Sequence, residues 1–403
     1  MMDIEWRKND LEAFCLSILE RGGSCQSLRG AISKWFRGAG SKPHDGASLP
    51  ESALSKEPQE PQRPVAERSL GGAQAMHRGL QPGMGWLQSG SEVHWQKLGQ
   101  LLDQVEAALP SDGNCSPEGF LFAVEAFALG PGRWLKIAGG AKASVLEKAL
   151  ISRCWNPAEV AFECGTFVGY STVRLAKRFS DVAHWRNATP QDGGGGVHSA
   201  AGHHAIVTVE VSPVQACVAR HFIDLTGLTV AAEVWVGQVR DVTPRLLEEF
   251  GERGIGLLFL DHKGQVFHRD LEQCERLGLL GRGAHVVADN VVSPGAPLLL
   301  WRLTYSGGVW ASSAWALHEF LEPDQEDWMV IAALAQWPRP GEFPPPPEPL
   351  KVLAWETDHL RRRSEGHRPA EAPVRGVDRA RFARYVAETY KSFGMEARPW
   401  SER

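Results

Sequence analysis

Two hydrophobic periods alternate along the middle of this chain. Short apolar runs at 158–162, 205–209, 233–236, 255–260 and 284–288 have the length and composition of strands. Between them, apolar residues recur at helical spacing over 170–179, 213–225, 243–250 and the 18 residues of 263–280. Two more strand-like runs follow at 313–320 and 328–334. Strands alternating with helices predict a mostly parallel sheet covered on both faces. Ahead of the first strand, Leu98, Leu101, Leu102, Val105 and Leu109 share one helical face. A second helix is expected from Pro117, a good first-turn residue, through Phe127, and a third over 142–150.

The flanks read differently. Residues 1–37 form a small helical segment, with Leu11, Phe14, Ile18 and Leu19 before a Gly-Gly break and Leu28, Ile32, Trp35 and Phe36 after it. Residues 38–92 are rich in Gly, Ser, Pro and charge and are expected to be a disordered linker. The folded domain is expected over 93–336, interrupted at 184–204 by a Gly/His-rich insertion. That insertion carries Gly193 to Gly196 in a row and His198, His203 and His204; its glycines favour a surface loop over a metal site. Residues 337–376, with Pro344 to Pro347 consecutive, read as an extended spacer. A last amphipathic helix and tail occupy 377–403, with Phe382, Val386 and Tyr390 on one side.

Composition narrows the function classes. A net charge of −5 and no basic stripe give no reason to expect nucleic acid as a partner. The seven cysteines are scattered without a C-x-x-C pair, which suits a reducing compartment. No run approaches a membrane span and the start has no apolar signal core, so the expectation is a cytoplasmic, soluble monomer acting on a small molecule.

The candidate chemistry sits at strand ends. Asp261 follows the run 255–260, and Asp289-Asn290 follow the run 284–288. Two parallel strands joined by a crossover bring their C-terminal ends to one sheet edge, where open α/β sheets bind ligands. Two carboxylates and an amide there make a hard, oxygen-only set that suits Mg²⁺, although the same residues also serve as caps and turns. The first strand–helix turn, Glu163-Cys-Gly165-Thr-Phe-Val-Gly169-Tyr-Ser171, offers glycines and a helix N-terminus to a ligand. Glu210, ending the second strand, can accept ribose hydroxyls. It lies 47 residues after Glu163, farther than the ~20 usual for such pairs, and the insertion takes up much of the excess. Glu163 would repel a pyrophosphate but not a nucleoside with a zwitterionic tail, which favours S-adenosylmethionine over NAD.

The strings Glu163-Cys-Gly-Thr-Phe-Val-Gly-Tyr-Ser-Thr-Val-Arg174, Phe259-Leu-Asp-His262, Ala288-Asp-Asn-Val-Val-Ser-Pro-Gly-Ala-Pro297 and Phe320-Leu-Glu322 resemble, in order, the motifs of catechol O-methyltransferases. The match covers roughly residues 93–336. The resemblance implies a Rossmann-like class I methyltransferase fold, with a seven-stranded, mostly parallel sheet whose last strand is antiparallel, flanked here by flexible tails. It implies Mg²⁺ on Asp261, Asp289 and Asn290, and S-adenosylmethionine held by Ala138, Glu163, Gly165, Ser171, Glu210, Val211, Val239, Asp261 and His262. It further implies Trp134 and Pro294 as apolar walls for an aromatic ring, Asn290 beside the reacting oxygen, and Glu322 as acceptor for the second hydroxyl of a catechol or related diphenol. One departure stands out. The family usually has Trp-Lys after Asp-His, the lysine being the general base; here Lys263-Gly264 follow. Either Lys263 serves as base from an altered loop or the base is missing. A catalytically weakened methyltransferase-fold protein with a binding or scaffolding role therefore stands as the alternative. Partners of the tails cannot be read from the sequence.

Overall fold

The computed structural model describes residues 91–108, 115–187, 204–305, 307–337, 343–364 and 376–401. The N-terminal helical segment, all but the last two residues of the 38–92 linker, and most of the 184–204 insertion lie outside the described residues.

Three helices come first: α1 (Ser91–Ala107), α2 (Pro117–Leu129) and α3 (Ala141–Ile151). Ser116 caps α2 by accepting the Gly119 N–H at 3.0 Å, with Pro117 in the first turn, where a missing N–H costs nothing. The alternating part follows as β1 (Val160–Cys164), α4 (Tyr170–Asn187), β2 (Ile206–Glu210), α5 (Pro213–Leu225), β3 (Ala232–Val236), α6 (Val239–Phe250), β4 (Ile255–Leu260), α7 (Phe267–Arg276) and β5 (Leu280–Ala288). A helical turn, Val291–Gly295, leads into α8 (Pro297–Thr304), then β6 (Trp310–His318) and β7 (Glu326–Leu334). Helices α9 (Glu348–Ser364) and α10 (Gly376–Ser392) and a short β8 (Ala397–Pro399) complete the chain.

The sheet order is β3-β2-β1-β4-β5-β7-β6-β8. Strands β1 to β5 pair in parallel, and β7 runs antiparallel to both β5 and β6. The order reverses at β1/β4, which opens a crevice at the carboxyl ends of these strands. Every residue of β1, β2 and β4 is buried, as strands covered on both faces must be. Successive residues feed opposite cores: Leu257 and Phe259 pack with α1 to α5, and Leu258 and Leu260 with α6 to α10.

The expected doubly wound sheet is present, with the antiparallel β7 that the resemblance implies. It has eight strands rather than seven, because Ala397–Pro399 adds to β6 in parallel. Three residues ending in proline carry no strand pattern to read. The helix expected over 263–280 is confined to Phe267–Arg276. Gly278, at φ +66, turns the chain out of the helix, and β5 starts at Leu280. Helix α9 lies inside the stretch expected to be an extended spacer. Leu350, Leu353 and Thr357 repeat on its buried side, and the prolines preceding it had masked that period.

Candidate active site

Asp261 follows β4 and Asp289 follows β5, and parallel pairing of these strands puts both carboxylates at one edge. Asn290 comes next in a left-handed conformation, φ 56, that swings the chain into the Val291–Gly295 turn. Asparagine tolerates this region better than most residues. The turn is held from across the sheet by Asp327 of β7, which is completely buried. Its Oδ1 accepts the N–H groups of Val292 at 3.0 Å and Ser293 at 2.8 Å. Its Oδ2 accepts from Asn290 Nδ2 at 3.1 Å and from Lys142 Nζ at 2.8 Å.

Lys142 is the group that sequence reasoning missed. It projects from α3 with 1% exposure, and its ammonium also meets Asp289 Oδ1 at 2.8 Å and Glu319 Oε1 at 3.1 Å. The available signal was a lysine among the buried positions Ala143, Val145, Leu146 and Ala149 of a short apolar helix. Burial pulls its pKa down, but Asp289, Asp327 and Glu319 more than offset this and hold it well above the ordinary lysine range. Glu319, just after β6, was likewise not singled out; it also accepts from Asn290 Nδ2 at 3.2 Å.

These contacts have a one-sided consequence. Asp289 Oδ1 is occupied by Lys142 and by the Asn290 N–H at 2.7 Å, which leaves Oδ2 for a ligand. Asn290 spends its amide nitrogen on Glu319 and Asp327, which leaves its carbonyl oxygen. Four carboxylates, Asp261, Asp289, Glu319 and Asp327, then lie within the field of the Lys142 ammonium. Burial, and next the charge of Asp289, push Asp261 well above the usual carboxylate range. Burial also raises Asp289, against the pull of Lys142, and pushes Glu319 up to about 7. Excess buried negative charge with free oxygens on two adjoining residues fits a hard divalent cation. Among the described residues, no three His, Cys, Asp or Glu side chains form a metal cluster by themselves. The donor set that fits is two carboxylates with the Asn290 amide.

The other half of the edge lies on β1 and β2. Glu163 is fully buried beside Ser171 and Thr208; Thr172 donates to its Oε2, yet its Oε1 has no partner. Burial drives its pKa up to about 7 against the pull of these hydroxyls. An orphaned buried carboxylate oxygen suits a cationic ligand group such as an α-amino group. Glu210 is fixed by the N–H groups of Phe167 and Ser212, each at 2.8 Å, one on each oxygen. Gly165, at φ +100, is needed for more than a ligand: a Cβ there would stand 2.7 Å from the Asp261 carbonyl oxygen. Ala138 and Val239 are buried, and Val211 is exposed. His262 is oriented by Asp270 at 2.7 Å.

The substrate side is more dispersed. Trp134 stands edge-on to Phe167, ring centroids 6.4 Å apart, and Pro294 lies in the turn after Asn290. Glu322 is not in the carboxylate cluster; its Oε1 lies 3.7 Å from Arg379 of α10. The position where the family carries its lysine is closed. A Cβ on Gly264 would come within 2.7 Å of the Gly295 carbonyl oxygen and 3.0 Å of Arg361. Arg361, from α9, bonds Gln265 at 2.8 Å and Gly295 O at 3.3 Å, so the C-terminal helices pack on both loops of the site. Lys263 is part-buried.

No family model matches the chain. It is 32% identical over 164 residues to catechol O-methyltransferase B of Danio rerio, covering 41% of this chain and 53% of that protein. It is 30% identical over 138 residues to catechol O-methyltransferase of Sus scrofa, covering 34% and 63%. Against transmembrane O-methyltransferase of Homo sapiens it is 34% identical over 139 residues, covering 34% and 40%. The chain thus spans less than two thirds of the length of these curated relatives. A solved O-methyltransferase from Bacillus cereus, in complex with SAH, aligns at 21% identity and TM-score 0.39, covering 56% of this chain and 92% of that one. No helix among the described residues is long and apolar enough to cross a membrane.

Proposed function

We propose that this chain transfers a methyl group from S-adenosylmethionine to one hydroxyl of a catechol-type diphenol, with Mg²⁺ held by Asp261, Asp289 and Asn290. The observation that carries this reading is the polar platform of Lys142, Glu319 and Asp327. It consumes Asp289 Oδ1 and the Asn290 amide nitrogen and leaves the other oxygen of each for a ligand. Ligands fixed in this manner from behind bind a metal more tightly than free side chains do. Bound there, the ion would lower the pKa of an adjacent phenolic hydroxyl.

The chain's own residues do the rest. Glu163 and Ser171 receive the cationic tail of S-adenosylmethionine, and Glu210 takes its ribose. Gly165, Ala138, Val211, Val239, Asp261 and His262 shape the cleft around it. Trp134 and Pro294 grip the ring, so that the acceptor oxygen lies in line with the methyl group; such positioning supplies much of the rate. The transferring unit is the 93–336 region, buttressed by α9 and α10, and Lys263 is the candidate for a base. Cys115, Cys154, Cys164 and Cys274 are free thiols among the described residues, in keeping with a cytoplasmic site of action.

The test is methyl transfer from labelled S-adenosylmethionine to catechol, with Mg²⁺ and with EDTA. Transfer that disappears with EDTA is expected; transfer indifferent to EDTA would remove the metal from the reading. A second reading, a cofactor-binding protein without turnover, is favoured by the closed Gly264 position. Tight S-adenosylmethionine binding with no transfer to any diphenol would select it.

A further inference from the structure

We propose that the crevice between α9 and the first turns of α7 and α8 is a second binding site, shaped for a small aromatic carboxylate and separate from the carboxyl-edge cleft. None of Asp261, Asp289, Asn290, Glu163 or Glu210 lines it. Its volume is about 290 Å³. An apolar cavity of about 150 Å³ admits benzene, so a fused pair of rings fits here. Val266, Pro297, Leu298 and Ala354 supply apolar wall. Trp355 lines the crevice too and is 68% exposed, whereas Leu350 and Leu353 of the same helix are fully buried in the core. The indole stacks on His359, ring centroids 5.4 Å apart and planes 26° from parallel. That stacking occupies one face of the indole and holds its plane for a ligand ring.

The charged groups decide the sign of the ligand. Arg269 and Arg362 line the crevice against a single carboxylate, Asp358. Asp358 is already paired with Arg362 at 2.8 Å. Arg269 makes no ion pair among the described residues, so one positive charge is left over. Other polar groups of the wall are spent. Gln265 Oε1 accepts from Arg361 at 2.8 Å, and Thr357 Oγ1 donates to the Ala354 carbonyl at 2.9 Å. His268 Nδ1 has no partner among the described residues, and burial, then the charge of Arg269, lowers the imidazole pKa to about 4. At neutral pH His268 adds no charge, and Arg269 is the group a carboxylate meets. An arginine binds a carboxylate through two parallel hydrogen bonds, which fixes orientation as well as affinity. Apolar walls with a few convergent polar groups are the composition of a small-molecule site. The walls 264–266 and 297–298 continue the two loops that carry Asp261 and Asn290, and Arg361 ties those loops together. An occupant sits behind the loops, away from their carboxylates.

The experiment titrates the full chain with naphthoate by calorimetry, with naphthylmethanol as the neutral analogue; neither is a vicinal diphenol. Naphthoate is expected to bind, about tenfold more tightly than the alcohol, with an affinity that falls as salt is added. Arg269→Ala should weaken naphthoate about tenfold and leave the alcohol unchanged, and Trp355→Ala should weaken both about fivefold. Both side chains are exposed, so the melting temperature should not move. Hydrogen exchange should show protection at 264–269 and 354–362 when naphthoate is bound. No binding at millimolar naphthoate overturns the proposal. So do equal affinities for acid and alcohol, affinities indifferent to both substitutions, or protection confined to the 163–171 turn, which would put the ligand in the cofactor cleft. Methyl transfer does not enter the measurement, so failure of the functional reading leaves this outcome untouched.

Discussion

Asp327→Ala tests the platform most directly. The carboxylate is fully buried and accepts four hydrogen bonds: from Lys142, Asn290, and the N–H groups of Val292 and Ser293. Breaking a buried ion pair from one side costs about 3–5 kcal/mol. Lys142 keeps Asp289 and Glu319, so the lower end, about 3 kcal/mol, applies. Each orphaned N–H adds about 1–3 kcal/mol. A loss of about 5 kcal/mol follows, comparable with the whole stability of many domains, which runs about 5–15 kcal/mol. Urea unfolding of the full chain measures it through the midpoint at unchanged slope. Asp327→Asn keeps an acceptor for the two N–H groups but turns an NH₂ toward Lys142 and Asn290, and about half the loss is expected. A loss below about 1 kcal/mol for Asp327→Ala would refute the account, because four bonds to a buried charge cannot all be that weak.

Three further outcomes are expected. Glu163 has a folded pKa of about 7 against 4.5 when unstructured, so the stability it lends is full below pH 4.5 and gone above pH 7. Glu163→Gln should therefore be the more stable protein at pH 8, by at most about 3 kcal/mol, with the gap closing toward pH 4; a gap constant between pH 5 and pH 8 rules this out. Gly264→Lys, which restores the family's lysine, should lower the melting temperature without raising turnover, since its Cβ would crowd Gly295 O and Arg361; a faster enzyme of unchanged stability would show that the loop is free to move. Tyr390→Phe removes a buried 2.8 Å bond to the Val291 carbonyl and should cost about 1 kcal/mol in urea unfolding; no loss would mean that α10 does not brace the turn.

The parts of the fold legible in the chain are those whose signal is local. Strands β1, β2 and β4 are buried on both faces, and a strand with no solvent side reads as an unbroken apolar run. Boundaries drifted where the pattern was two-sided or broken by glycine, as in β5, whose Gly281 and Gly283 hid its first half. Helix α9 was obscured for a similar reason: the prolines before it dominate the composition, and of its buried residues Leu350, Leu353, Thr357 and Arg361, which do fall at helical spacing, two are polar and do not read as an apolar face.

The same division holds for the site. Asp261, Asp289, Asn290, Glu163 and Glu210 were visible because each lies at or just past the end of an apolar strand, and parallel strands deliver their ends to one edge whatever the details of packing. Lys142, Glu319 and Asp327 were not, because nothing in a local period says what meets a buried lysine 185 residues before its carboxylate. That meeting depends on how α3 lies over the β6–β7 turn. It is enforced by the cost of leaving a charge unpaired in the core, which only the assembled tertiary structure can relieve. The sequence by itself determined the sheet, its carboxyl edge and the oxygen-bearing side chains at that edge. The tertiary structure decided which oxygens stay free, closed position 264, and turned Glu319 inward and Glu322 out.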